Sequence, residues 1–271
     1  TGHPYVRVSH TAIMGADRTG VALEFMIEEG RRATIGSVNF RGNLRTSSSY
    51  LARETGLKPG DSFTPSKIAA ATGSLGDIAV LQSYNLKSSG LEEKKDRIDL
   101  VFDIREKKAI HLGVGAGFKS DRGIFADASV QDDNFLGRYK SVWLRGGAGQ
   151  TGYSGSTGFT EPRLIGSRAS AGFSFSAEQK REFNKSFGTR TFGPELSLSV
   201  RWLEGLTSSF SAAYGSRKIL GSLSIDEITS LDLSDRYRAR DVITVSSLLS
   251  YDRRDSLVRP RSGFIASGSI D

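Results

Sequence analysis

Between Ala109 and Gly149 the sequence contains three runs of alternating apolar residues: Leu112, Val114, Ala116 and Phe118; Ile124, Ala126, Ala128 and Val130; Val142, Leu144, Gly146 and Ala148. A repeat of two belongs to a strand, whose successive side chains point to opposite faces. The opposing positions hold His111, Gly113, Gly115 and Gly117, then Asp127, Ser129 and Gln131, then Ser141 and Arg145. Such a sheet has one apolar face and one wet face lined by small or polar groups. A membrane-spanning β-barrel requires this pattern in strands of about ten residues, because hydrocarbon offers no partner to an unpaired backbone group. A soluble sandwich shares the alternation, so the rest of the chain must decide between them.

The pattern continues to the end of the chain. Ser154 to Thr160 leads to Pro162; Ala169, Ala171, Phe173 and Phe175 follow, then Leu196, Leu198, Val200 and Trp202, then Phe210, Ala212 and Tyr214. Ile243, Val245, Leu249 and Tyr251 come next, and Phe264, Ala266, Gly268 and Ile270 close the series, nine strands in all. From Ala109 onward lie 20 of the 31 glycines, and helical periodicity disappears. Short connections are expected at Asp133 to Tyr139, Pro162 to Arg168, Leu203 to Leu206 and Arg253 to Ser262, and long charged ones at Ala177 to Arg190 and Arg217 to Asp241. Short and long connections at opposite ends are the habit of outer-membrane barrels. The fold class expected is therefore mainly β, an antiparallel outer-membrane barrel of about nine strands, incomplete and preceded by an α/β unit.

That unit occupies residues 31–106. Ile35 to Phe40 reads as a strand ending in the turn Arg41-Gly42-Asn43; Thr46 or Ser47 caps a short helix to Glu54, which Gly56 closes. After Pro59-Gly60-Asp61, Thr64 as N-cap and Pro65 at the first position start a helix over 65–80, with Ile68, Ala71, Leu75 and Ile78 as its apolar stripe. Strands at Ser83 to Lys87 and Ile98 to Ile104 complete the order β-α-α-β-β, a three-stranded sheet with two helices on one face. Residues 1–30 read as two strands, Tyr5 to Ser9 and Val21 to Ile27, joined by a turn at Gly15 to Gly20. VALEFMIEE and IDLVFDIRE align at an offset of 77 residues, an internal repeat that makes 1–30 the tail of a preceding copy.

Composition narrows the chemistry. No run approaches the roughly 18 to 20 apolar residues of a membrane helix. The net charge of +7 divides as +3 over residues 1–108 and +4 over the rest, with both signs interspersed, so no basic patch suits nucleic acid. There is no cysteine. His3, His10 and His111 lack metal-ligand spacing, and no Gly-x-Ser-x-Gly elbow or phosphate loop is present. Gly113-Val114-Gly115-Ala116-Gly117 is not followed by a helix and belongs to a strand. Asp132-Asp133 and Asp252-Arg253-Arg254-Asp255 fall in expected turns, where charge is ordinary. No catalytic constellation, metal site or cofactor site is expected.

Residues 31–106 resemble a POTRA domain, through Gly36-Ser37-Val38-Asn39-Phe40-Arg41-Gly42-Asn43 and through Leu57-Lys58-Pro59-Gly60-Asp61 followed by Thr64-Pro65. The following strands resemble the BamA/TamA family of outer-membrane assembly factors. Asn134, Phe135 and Gly137 match its turn after the second strand, and Asp252, Arg254, Asp255, Pro260 and Gly263 match a turn further round. The family's Arg-Gly-Phe or Arg-Gly-Tyr loop and its closing strand with a terminal aromatic are absent, as expected of a chain that stops before them. The style of the Gly-Asp turn favours a TamA-like over a BamA-like chain.

The resemblance implies a non-enzymatic factor that assembles client proteins into or across the bacterial outer membrane. Its domains would be 1–30, the tail of one POTRA domain; 31–106, a complete POTRA domain in the periplasm; and 107–271, the N-terminal portion of a transmembrane barrel. Ile110, His111, Leu112, Gly113, Val114 and Gly115 would line one side of a lateral seam, and Ser83, Tyr84, Asn85, Leu86 and Lys87 an edge that accepts an extended client by strand addition. The partners implied are unfolded outer-membrane or secreted clients, a periplasmic or inner-membrane protein at the POTRA domains, and the lipid bilayer; nucleic acid is excluded. A two-partner secretion transporter, a passive pore, and an enzyme whose catalytic domain lies upstream of Thr1 are the alternatives.

Overall fold

The computed structural model describes residues 2–14, 21–120, 123–164, 168–181, 187–221, 239–256 and 258–270. They fall into two compact units, Thr1–Lys107 with Leu136–Arg138, and Lys108–Phe135 with Tyr139–Asp271.

The first unit begins with an antiparallel hairpin of β1 (Arg7–Met14) and β2 (Val21–Glu28). The first strand thus starts later and runs further than Tyr5 to Ser9, and the expected turn at 15–20 lies outside the described residues. Then come β3 (Thr34–Arg41), α1 (Ser48–Thr55), α2 (Pro65–Gly76), β4 (Leu81–Ser89) and β5 (Arg97–Glu106). The sheet order is β3-β5-β4, with β3 parallel and β4 antiparallel to the central β5.

Local chemistry sets the helix limits. Ser47 is the extended N-cap of α1, although its hydroxyl meets Ser49 Oγ at 2.7 Å and makes no cap bond; Gly56, left-handed at φ +64°, returns its N–H to Ala52 O. Thr64 Oγ1 accepts the Lys67 N–H at 3.3 Å, with Pro65 opening α2. α2 stops at Gly76, four residues short of the end expected from the apolar stripe, because Gly73 and Gly76 weaken its last turn. Ile78 is buried nonetheless, since turn bonds from Ile78 N to Leu75 O and from Leu81 N to Ile78 O fold it back toward the core. Ile35, Leu51, Leu75, Ile78, Ile98, Leu100 and Phe102 are each less than 2% exposed and form that core.

The β1–β2 hairpin repeats the β4–β5 pairing. Val8 faces Ile27 as Tyr84 faces Ile104, and His10 faces Phe25 as Leu86 faces Phe102. Ile98, Leu100, Phe102 and Ile104 of β5 are buried, whereas Leu23, Phe25 and Ile27 of β2 are all more than half exposed.

The second unit is one antiparallel sheet of nine strands in sequence order: β6 (Ile110–Lys119), β7 (Gly123–Phe135), β8 (Lys140–Gly149), β9 (Gly152–Leu164), β10 (Ala169–Arg181), β11 (Gly188–Leu203), β12 (Leu206–Leu220), β13 (Arg240–Asp252) and β14 (Ile265–Ile270). Among the described residues β6 and β14 do not pair with each other, so the sheet is unclosed. The strands are longer than the alternation alone indicated. Asp133 to Phe135 and Pro162 to Leu164 belong to strands rather than turns, and Phe264 precedes β14.

The largest correction concerns the connection after β10. Ala177–Arg181 and Gly188–Arg190 are strand, paired as Ala177 with Phe192 and Gln179 with Arg190, which leaves only 182–187 between. Charged and polar residues there alternate with others on a continuing ladder, and charge alone does not break a strand whose backbone stays paired. Connections of two to six residues occur at both ends, and so does one of twelve or more, so the segregation of short and long connections does not identify the barrel.

The faces do. Val142, Phe159, Phe173, Leu196, Ala212 and Val245 are successive cross-strand neighbours on β8 to β13, an apolar row six strands wide. One residue along, the opposite face carries Trp143, Gly158, Ser174, Glu195, Ala213 and Thr244. Among the described residues, every buried apolar side chain except Ala109 and Phe187 lies between Ala33 and Ile104, in the first unit. The nine-stranded sheet therefore leaves its apolar face uncovered by protein, a cost in water and the requirement in hydrocarbon.

Candidate functional site

Among the described residues β6 and β4 are edge strands of their sheets, as are β14, β3 and both strands of the β1–β2 hairpin. In the second unit, among the described residues, β6 pairs only with β7. Leu112 and Val114 are 78% and 92% exposed and lie on the apolar face, directly opposite Val130 and Ala128. The other face of β6 carries His111, Gly113, Gly115 and Gly117. Ile110 stands opposite Asp132 at the start of the strand and is 53% exposed. Between His111 and Lys119 the glycines leave β6 without side chains to pack on its wet face, which weakens a strand and lets its backbone bend.

In the first unit both β3 and β4 are outer strands, but they differ in how far the chain itself covers them. The segment after α1 covers the start of the β3 edge: Gly60 N donates to Ile35 O, Ile35 N to Asp61 O and Phe63 N to Ala33 O, with Thr34 bridged to Ser62. Among the described residues β4 pairs only with β5. Ser83, Asn85 and Lys87 are exposed along it, and Tyr84 and Leu86 are half-buried against β5 partners Ile104 and Phe102. Lys87 Nζ meets Asp103 Oδ2 at 2.6 Å, and this hydrogen bond holds the Asp103 carboxyl below its ordinary value.

The family-like turn residues are structural. Asn134, 2% exposed, donates its N–H to Asp132 Oδ1 at 3.0 Å and accepts the Tyr139 N–H on Oδ1 at 2.9 Å, closing a turn in which Leu136, Gly137 and Tyr139 are left-handed. Phe135 pairs with Lys140 across it. Gly137, at φ +67°, accepts the Ser47 N–H on its carbonyl within the first unit, and a Cβ there would collide with Arg45 O. In the turn after β13, Arg254 grips Asp252 with Nε on Oδ1 at 2.9 Å and Nη2 on Oδ2 at 2.6 Å. Asp255 Oδ1 accepts the Arg261 and Ser262 N–H groups at 2.9 and 3.2 Å; those bonds pull its carboxyl below the usual range. Gly263 is left-handed at φ +96°, and Pro260 is exposed in the same turn. Among the described residues no group of three or more histidine, aspartate or glutamate side chains is arranged to hold a metal ion.

Two contacts on the wet face were not anticipated from the sequence. Trp143 lies against Gly158 with Arg145 stacked 4.7 Å from its ring, and His111 stands 3.3 Å from Asp133. The alternation places these residues on one face, but only the register across strands brings them together.

Comparison with known proteins gives these geometries a setting. Residues 134–271 match the model of the Omp85 superfamily domain, and residues 33–107 match a POTRA model, described as a surface antigen variable number repeat. The chain is 24% identical to the outer membrane protein assembly factor BamA of Neisseria meningitidis, over 73% of this chain and 26% of that protein. It is 24% identical to BamA of Neorickettsia risticii over 97% of this chain and 35% of that protein. The chain therefore spans about a quarter to a third of the curated relatives it matches. Among solved structures, BamA of Haemophilus ducreyi lacking POTRA domains 1–3 aligns with 99% of this chain and 53% of its own, at TM-score 0.64 and 19% identity. CdiB of Acinetobacter baumannii aligns with 99% and 49%, at TM-score 0.52 and 13% identity. These two likenesses are of fold. Neither set of relatives separates a TamA-like from a BamA-like chain.

Proposed function

The chain belongs to the Omp85 superfamily, an outer-membrane family with periplasmic POTRA domains, and from that premise we propose that it assembles client proteins into or across the outer membrane without covalent chemistry. The carrying observation is the make-up of β6, apolar toward lipid and lined by Gly113, Gly115 and Gly117 toward the wet face, where a strand with little to pack holds a neighbour weakly. Unpaired strand groups are costly in hydrocarbon, so a client strand that pairs with β6 gains backbone bonds where water cannot compete. In this reading Ile110 to Gly115 form one side of a lateral seam. Ser83 to Lys87 receive an extended client or a periplasmic or inner-membrane partner by strand addition, which the uncovered edge of β4 supports.

The domain reading follows the same line. Residues 31–106 act as a complete POTRA domain, 107–271 as the first part of the barrel, and 1–30 as the last hairpin of a preceding POTRA domain; the shared register of β1–β2 and β4–β5 supports the last of these. The test places a photo-crosslinking residue at Leu112, and separately at Leu198 in the middle of the sheet, in the full-length protein during client synthesis. Client adducts at Leu112 and none at Leu198 are expected; equal labelling defeats the seam. Likeness to CdiB is of fold alone and does not separate assembly from secretion. Clients recovered in the membrane indicate assembly, and clients recovered outside the cell indicate a two-partner secretion transporter.

A further inference from the structure

Side chains of three neighbouring strands converge on one carboxylate at the base of β6. Asp133 of β7 accepts Gln131 Nε2 at 2.7 Å and Ser141 Oγ of β8 at 2.9 Å, both on Oδ1. Its Oδ2 lies 3.3 Å from His111 Nε2 of β6, an ion pair when the imidazole is protonated. The backbone ties the same point, since Asp133 N–H donates to Ala109 O at 2.9 Å. From Gly113 to Gly117 the wet face of β6 has only glycines to offer, before Lys119 stacks on the Phe125 ring. Nothing lies within 4 Å of the place a Cβ would take on Gly115, and at Gly117 the neighbour is the Phe125 ring, an apolar contact without a hydrogen bond.

We propose that Asp133 is the positioning residue of the seam strand: it fixes the base and register of β6 while the stretch Gly113–Gly117 yields. This rests on reading β6 as the seam. A slip of one residue would turn every lipid-facing side chain of β6 to the wet face. His111 reaches Asp133 in only one register, so the clasp penalises that slip at the end where the strand begins. A client strand pairing with the free edge inherits the register, and the glycine stretch lets that edge bend to match the client's twist.

Hydrogen exchange of the full-length protein in lipid nanodiscs, resolved to short peptides, tests the anchor. In the wild-type protein residues 109–112 should exchange at least tenfold more slowly than 113–117. Asp133→Ala should bring the base to the rate of the glycine stretch, whereas Ser129→Ala, which faces Gly113, should leave it slow. Equal rates in the wild-type protein would overturn the proposal without any variant, and so would a base that stays slow in Asp133→Ala. A second readout reports register: cross-links from Leu112 should fall at one client position in the wild-type protein and spread to neighbouring positions in Asp133→Ala, and an unchanged single position would overturn it. Absence of any client cross-link at Leu112 would sink the seam itself, while the exchange gradient would still judge the anchor.

Discussion

Glu106, at the end of β5, receives the backbone N–H of Thr46 on its carboxylate at 2.7 Å, and Arg45 N–H adds a second bond at 2.9 Å. One side chain thus ties the central strand to the loop that launches α1. Partial burial works against its charge, but bonds from the Thr46 hydroxyl and from the backbone of Arg45, Thr46 and Leu44 outweigh that and hold the carboxyl below its ordinary value.

A fragment of residues 31–107 should fold by itself, because the three strands and two helices that cover one core lie inside it. Within it Glu106→Gln should lower stability by about 1 kcal/mol at neutral pH, below the roughly 1.5 to 3 kcal/mol of a hydrogen bond to a charged group because the amide oxygen still accepts one N–H. The sign with pH follows from the depressed folded value. The contribution is complete above the ordinary glutamate value near 4.5 and disappears as pH falls through the lower folded one. Urea unfolding from pH 7 to 3 should show a constant gap between wild type and variant that closes at the acid end. A gap that widens on acidification, or an undispersed amide spectrum of the fragment, would refute the account.

How much of this was legible in the sequence depends on which physical signal carried it. Thr64-Pro65, Gly56 and the Gly60 turn act through local chemistry, and the structure has each where the sequence places it. The period-two runs located all nine strands because a face against lipid must be apolar at every second residue. The ends of strands were not legible: once a ladder is paired, polar stretches such as Ala177–Arg181 continue it at no local cost. The link between His111 and Asp133 was invisible for another reason. Cross-strand neighbours depend on register, which one strand's sequence does not state.

The exposed apolar face of β1–β2 makes a second expectation. If Leu23, Phe25 and Ile27 match Leu100, Phe102 and Ile104 of β5, they need a helical layer like α1 and α2. A fragment of residues 1–107 should bind a hydrophobic dye that 31–107 does not, and Leu23→Ser with Phe25→Ser should abolish most of that binding. Dye binding that survives both substitutions would place the exposed surface elsewhere.

Gly158 gives a test of the wet face. A Cβ there would run into the Trp143 indole, which itself carries Arg145. Gly158→Val should therefore cost about 1 to 3 kcal/mol, the range for overpacking a fixed site. Gly115→Ala, at a position with nothing within 4 Å of the added carbon, should cost far less. Heat-modifiability on gels of the full-length protein compares the two; equal losses would mean that Trp143 does not lie over Gly158.

The face assignment has the sharpest consequence. Leu198 lies on the apolar face beside Ala171 and Phe210, and Ser199 lies on the other beside Ser170 and Ser209. Arginine on the lipid side near the midplane of such a sheet costs roughly 2 to 4 kcal/mol, while the wet side tolerates it. In the full-length protein folded into phospholipid vesicles, Leu198→Arg should lower the unfolding free energy by that amount and Ser199→Arg by a small fraction of it. The two substitutions differ by one residue in position and by nothing in charge, so general effects of adding a cation cancel between them. Equal losses would mean that the register is displaced by one, or that the uncovered apolar face of β8 to β13 does not meet lipid.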